Sequence, residues 1–213
     1  MDRTVVRLET VPGSLDSVGL NLEVRRPSNR RQLLKVATSE AHGRLDRSLM
    51  QKGYFAGRDG FGLYLRRMHK FQLAFEEVAI AADRGLYQTW GLHHHRVWLE
   101  ADLSQAGIQI AVSPAAAAKD APRIADRSSL AGALYVMAGS SLGARVLHRM
   151  SVERQLPGPS GSYYLSRLAA SVRWSEFLSF LESAEIASEV SMVEGAISTF
   201  ECVSRHLNGS VSA

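Results

Sequence analysis

Leu34-Lys35-Val36-Ala37-Thr38-Ser39-Glu40-Ala41-His42-Gly43-Arg44-Leu45-Asp46 is the stretch that decides what kind of chain this is. Leu34, Thr38, Ala41, Leu45 and Leu49 recur at steps of three and four residues, the spacing of one face of an α-helix. His42 falls among them, so this reading places an imidazole on the inward stripe of a helix. A second stretch, Tyr135-Val136-Met137-Ala138-Gly139-Ser140-Ser141-Leu142-Gly143-Ala144, carries two glycines four residues apart. On a helix that spacing puts both on one side and strips that side of side chains. Each interior glycine costs a helix about 1 kcal/mol relative to alanine, so the pair asks for a reason. The two reasons available are close packing of another helix and close approach of a flat ligand.

Outward from these stretches the helical period continues. Ser28 or Asn29, after Pro27, is expected to cap a helix running to about residue 50, with Gly53 and Gly57 marking a connection. Asp59 is expected to cap a long helix with Phe61, Leu65, Met68, Phe75, Val78 and Ala82 on one face. Residues 93 to about 106 read as a third helix, and Ser113-Pro114 opens an alanine-rich piece that Pro122 ends. Ser128 or Ser129 is expected to cap the helix carrying the two glycines. After the break at Pro157 to Gly161, one helix is expected over 162–184 and another over 186–207, stopped by Asn208-Gly209. Residues 1–28, with Pro12, Gly13, Gly19 and Pro27, read as a mobile, partly extended arm, and 209–213 as a tail. No hairpin signal follows residue 28. The expected fold class is therefore all-α, a single domain over 29–208 with about six to eight helices packed as a bundle.

Composition narrows the function classes. Of the 213 residues, 46% are apolar and 22% charged, an ordinary soluble balance. No stretch approaches the roughly 18 uninterrupted apolar residues a bilayer crossing needs. Asp2, Arg3, Arg7, Glu9, Asp16 and Glu23 leave no apolar run of signal-peptide length at the start. A lone cysteine, Cys202, excludes an intrachain disulfide, and the expectation is a cytoplasmic protein without membrane attachment. The net charge of +4 comes mainly from arginines, but they lie scattered beside acids with no stripe or aromatic interleaving, which argues against nucleic acid. A modest basic face does suit steering of an acidic electron-transfer partner. His93-His94-His95 cannot all face one way on a helix, which argues against a three-ligand zinc site. Cys202 stands in the last helix with no neighbouring base and reads as inert.

Taken together, the two stretches resemble the haem oxygenases. Leu34-Lys35, Ala37-Thr38, His42 and Leu45-Asp46 match the family's proximal-helix signature. Gly139-Ser140, Leu142-Gly143-Ala144 is similar to its distal helix in the bacterial form, and the order is the family's. Trp98-Leu99 with Asp102-Leu103, and Trp174 with Phe177, resemble two further family segments, so the likeness runs from about residue 30 to 207.

The resemblance implies a haem-oxygenase-like helical bundle with haem as both cofactor and substrate. It implies His42 as the iron ligand and Lys35 as a propionate anchor; Glu40 and Asp46, by their nearness in sequence, are candidates to accept from the imidazole or are surface charge. Gly139 and Gly143 would lie almost on the macrocycle and bias which meso edge is attacked. Ser140 stands where animal members carry an aspartate, and a hydroxyl there would organise distal water. Tyr135 and Arg167 are candidates for pocket polarity, and Phe200 for packing on the macrocycle. The implied activity is oxidative ring opening to biliverdin, carbon monoxide and ferrous iron. Electrons would come from an external ferredoxin- or flavoprotein-type reductase, since no flavin or nicotinamide motif is visible. The product would serve iron acquisition or supply pigment to a phytochrome-type photoreceptor. The alternative on the same fold is a non-enzymatic haem carrier or sensor, which would keep His42 without turnover.

Overall fold

The structure, a computed structural model, describes residues 29–110, 119–171 and 174–209. The expected arm at 1–28, the alanine-rich piece opened by Ser113-Pro114 and most of the tail lie outside the described residues. Among the described residues there are seven helices and no strand: α1 Arg30–Gln51, α2 Arg58–Thr89, α3 His93–Gln105, α4 Arg127–Glu153, α5 Tyr163–Ala170, α6 Trp174–Ser183 and α7 Glu189–Asn208.

The start of α1 is fixed twice. Asn29 Oδ1 accepts the Gln32 amide at 2.8 Å, as the sequence suggests. The Glu182 carboxylate, from the end of α6, also accepts the backbone amides of Arg30 and Arg31 at 3.2 and 3.0 Å, a negative charge where the helix dipole favours one. In return the Arg30 guanidinium donates to the carbonyls of Leu181 and Ala184 at 2.9 and 2.7 Å. The two helix ends are thereby tied together.

Three details differ from the sequence reading. The residue capping α2 is Gly57, with Asp59 inside the first turn, where its charge still complements the dipole. Asp126 caps α4, forming a reciprocal capping box with Ser129 in which the Ser129 amide donates to Asp126 Oδ1 at 2.7 Å. The single helix expected over 162–184 is two, α5 and α6. At the end of α5 the Ser171 hydroxyl donates to the Leu168 carbonyl at 2.9 Å, competing with helix continuation. A further break sits late in α2, where Asp83 leaves helical geometry (φ −163°, ψ 98°) and its side chain accepts the Leu86 amide at 2.9 Å, starting the turn anew as an internal cap.

α5 begins on a buried acid. Asp102 of α3 accepts the amides of Tyr163 and Tyr164 at 2.8 and 3.1 Å and the Ser162 hydroxyl. Burial raises its carboxyl above the ordinary range, and these donors pull the other way. At the far end of the chain, Gly209 takes φ +78° and closes α7 as the Asn208-Gly209 pair suggests.

α7 is the floor of the fold, packing on α4, α1 and α2. Its crossing with α4 is set by two glycines: a Cβ at Gly132 would lie 1.7 Å from the Met192 carbonyl oxygen, and one at Gly195 would lie 2.1 Å from that of Ser129. Only bare backbone fits there. Gly132→Ala is expected to destabilise the protein by about 3 kcal/mol through forced separation of the helices, read as a lower urea midpoint at unchanged slope. α4 is also long and apolar enough to cross a membrane by composition, yet half of that window is buried inside the protein, which is how a core helix passes the same test.

α1 and α4 both pack on α7 but make almost no contact with each other, and α6 touches both. The result is a cleft with α1 and α4 as walls, α7 as floor and α6 across one end.

Candidate functional site

His42 is carried by the α1 wall. Eight residues after Leu34 the helix has turned about 80° past that residue's direction, so His42 lies at the edge of the buried stripe and not within it. Its side chain is 62% exposed, which corrects the expectation of an inward-facing ring. The stripe that is buried consists of Leu34, Thr38 and Ala41.

Two contacts orient the ring. His42 Nδ1 lies 3.0 Å from Asp46 Oδ2, one turn on, so the Nδ1–H donates to the carboxylate. Phe200, buried in α7, meets the imidazole edge-on with ring centroids 5.6 Å apart. Nε2 has no partner among the described residues. Glu40, the other acid near His42 in sequence, pairs instead with Arg44 one turn on and is not behind the imidazole. Lys35 is exposed two turns before His42 on the same flank, with no ion-pair partner among the described residues.

The α4 wall is unusually bare. Tyr135, Gly139, Leu142 and Val146 fall on one stripe with Gly143 beside it. Leu142 and Val146 are 44% and 56% exposed, so an apolar face of the most apolar long helix has little over it. A Cβ at Gly143 would meet nothing within 4 Å, and one at Gly139 only the Trp174 ring at 3.7 Å. Unlike Gly132 and Gly195, these two glycines are not demanded by helix packing among the described residues. Their neighbours soften the helix further: Ser140 and Ser141 donate their hydroxyls back to the carbonyls of Met137 and Ala138 at 2.6 and 2.7 Å. The Ser140 oxygen keeps acceptor capacity toward solvent.

Tyr135 and Trp174 close the α6 end, their rings 5.7 Å apart. Burial raises the Tyr135 hydroxyl above its ordinary value while the positive charge of Arg31, in the first turn of α1, opposes this.

His42 and Phe200 are thus brought together, Lys35 shares their side of α1, and Gly139, Gly143, Tyr135 and Ser140 lie on α4. Arg167 is not in the cleft: its guanidinium sits 5.7 Å over the Trp98 ring, beside Leu134, Met137 and Ala138 on another flank of α4. Sequence reasoning missed Trp174 as the residue over Gly139, although the Trp-x-x-Phe spacing is visible in the chain, and Arg31, for which no local signal exists.

Of the three consecutive histidines, His93 and His94 are exposed and His95 is buried, the mixed placement that helical geometry requires. Among the described residues no group of three or more histidine, cysteine or acidic side chains is arranged to hold a metal ion. Cys202 does have a base nearby, with Sγ 3.7 Å from His206 Nδ1, which corrects the expectation of none. Burial pushes its thiol up to about 12, so it stays protonated and unreactive.

No family model matches the chain. Over 172 residues it is 27% identical to the heme oxygenase PigA of Pseudomonas aeruginosa, an alignment covering 78% of this chain and 84% of that protein. This is a distant relationship to a haem oxygenase.

Proposed function

We propose that the protein is a haem oxygenase, an oxidoreductase that takes haem as its substrate in the cleft between α1 and α4. One observation carries this reading: an imidazole held at Nδ1 by a carboxylate, with no Nε2 partner among the described residues, stands on one wall, and the other wall is a side-chain-poor helical face that no packing among the described residues explains. The donor set suits haem, because a porphyrin brings its own four nitrogens and asks the protein for a single axial one. Haem supplies the iron that activates oxygen, and its ring is opened to biliverdin with release of carbon monoxide and ferrous iron.

In this reading His42 binds through Nε2, and Asp46, by taking the Nδ1–H, fixes the tautomer and makes the ring a better donor. The exposed Lys35 ammonium meets a propionate carboxylate. Gly139 and Gly143 let the α4 backbone close on the macrocycle, so Leu142 and Val146 exclude water from that face. Ser140 holds ordered water at the helix surface, from which a proton can be delivered. Phe200 supports the macrocycle from the floor. Electrons come from an external ferredoxin- or flavoprotein-type reductase steered by the chain's positive charge, and the setting is the cytoplasm.

The test is addition of hemin with ascorbate or a reductase in air. Growth of a bilin absorbance is expected; an unchanged ferric Soret band under reduction would defeat the oxygenase reading and leave a carrier. Asp46→Ala is expected to keep the fold and weaken hemin binding roughly 10- to 100-fold, measured by titration of the Soret band.

A further inference from the structure

The two glycines of the α4 face are not equivalent. Nothing among the described residues stands within 4 Å of where a Cβ of Gly143 would be, whereas the same space at Gly139 is filled by the six-membered ring of Trp174, with Cη2 and Cζ3 at 3.7 and 3.8 Å. Those are ordinary van der Waals separations. Gly139 therefore has a side chain from another helix seated over it, and Gly143, one turn or about 6 Å further along α4, has none. A flat ligand on this face is free to extend past Gly143, where Leu142 and Val146 are exposed, and is stopped at Gly139.

The stop is firmly held. Trp174 opens α6, and its indole is stacked on Phe177 with centroids 5.9 Å apart and an interplanar angle of 19°. Phe177 is buried and has Trp90 edge-on against it at 5.0 Å, so the support behind the indole belongs to the core. The Tyr135 ring packs beside it. The far end of α6 is fixed to α1 through Glu182, which accepts the Arg30 and Arg31 amides. An indole has only two side-chain torsions to lose, and packing against two rings restricts both.

We infer that Trp174 determines the specificity of the α1–α4 site: the margin of the macrocycle rests against its indole, which fixes how the ring is turned in its own plane over His42 and so which meso bridge is opened. The inference rests on the haem reading. The charged groups at this end attract without aligning. Lys35 and Arg31, four residues apart on α1, are exposed with no ion-pair partner among the described residues. They draw carboxylates toward this end, but flexible stems carrying solvated charges reach a carboxylate from many angles. A ring margin in contact with an indole has no such latitude, because overlap by even a methylene is costly in a packed contact.

The test uses the full-length protein loaded with hemin. In its ferric cyanide complex the ring-methyl proton resonances are spread by the iron in a pattern that depends on how the macrocycle is turned relative to the axial imidazole. Trp174→Ala is expected to give a methyl pattern different from the parent's, with hemin affinity in a Soret titration nearly unchanged. Trp174→Leu, which keeps apolar volume on Phe177 but not the flat edge, is expected to do the same, so the result does not depend on the fold tolerating alanine. Trp174→Phe restores a ring and is expected to restore the parent pattern. With ascorbate in air, the ratio of bilin isomers is expected to change about tenfold in the alanine and leucine variants, the low end of what one missing apolar contact is worth in selectivity. A side chain that only holds α6 in place would lower the urea midpoint and leave the methyl pattern alone. Parent-like methyl patterns and isomer ratios in hemin-bound Trp174→Ala and Trp174→Leu would overturn the inference and leave the haem reading standing; a parent chain that binds no hemin would overturn both.

Discussion

His42→Ala is expected to abolish bilin formation while leaving the protein as stable as before. The two halves of that result have separate causes. The ring is 62% exposed and touches little beyond Asp46 and the edge of Phe200, so the fold loses almost no burial with it. Alanine is also the better helix former, and the net stability change should stay within about 0.5 kcal/mol. The functional loss should exceed the roughly 10- to 100-fold of Asp46→Ala, because that change removes only the support of the ligating nitrogen. The exposure that makes the substitution harmless to the fold also leaves room for a free imidazole. Adding imidazole to the alanine variant should therefore restore the hemin spectrum of the parent protein, though not necessarily its turnover. If parent and variant give the same hemin spectrum without imidazole, His42 is not the ligand and the cleft is not the site.

How much of this was legible in the chain differs from element to element. α1 and α3 could be read to within a residue or two, and so could the end of α7, where the period meets a local signal such as Asn29 or Gly209; the start of α7 lies three residues beyond the expected 186. The caps of α2 and α4 were displaced by two or three positions. Asp59, Ser128 and Ser129 are all good capping residue types, and which one leaves helical geometry is settled by what it can reach. Asp126 wins because it alone can exchange bonds with Ser129. The division of 162–184 falls next to Ser171 and leaves no mark in the apolar pattern.

At the site, the residue types could be read but not their surroundings. Helical spacing puts His42 near the buried stripe, yet whether the stripe's edge is covered depends on how far α4 stands from α1, a distance that no local signal encodes. Glu40 and Asp46 were equivalent in the sequence, and only the pairing of Glu40 with Arg44 separates them. Gly132 looked no different from Gly139 or Gly143, although it is the one pressed against a neighbouring backbone.

The glycines of α4 allow the cleft to be tested with effects of opposite sign. Gly143 has nothing among the described residues within 4 Å of where a Cβ would stand, so Gly143→Leu removes a helix-weakening residue and starts its side chain in open space. The ligand-free protein should gain about 0.5–1 kcal/mol, seen as a higher urea midpoint. The same side chain occupies the face on which a macrocycle would lie, so hemin binding should weaken sharply and bilin formation should be lost. Gly143→Ala should show the same gain in stability with a milder loss, and a changed ratio of bilin isomers, because a single methyl shifts the approach to the ring without filling it. Gly132→Ala, on the same helix, should do the reverse: lower the midpoint and leave the hemin spectrum of the folded fraction unaltered. A more stable protein that handles hemin worse is difficult to obtain from a glycine kept for packing, and it is what a glycine kept for a flat ligand requires. Should Gly143→Leu instead leave hemin turnover untouched, the bare face of α4 would have some purpose other than haem.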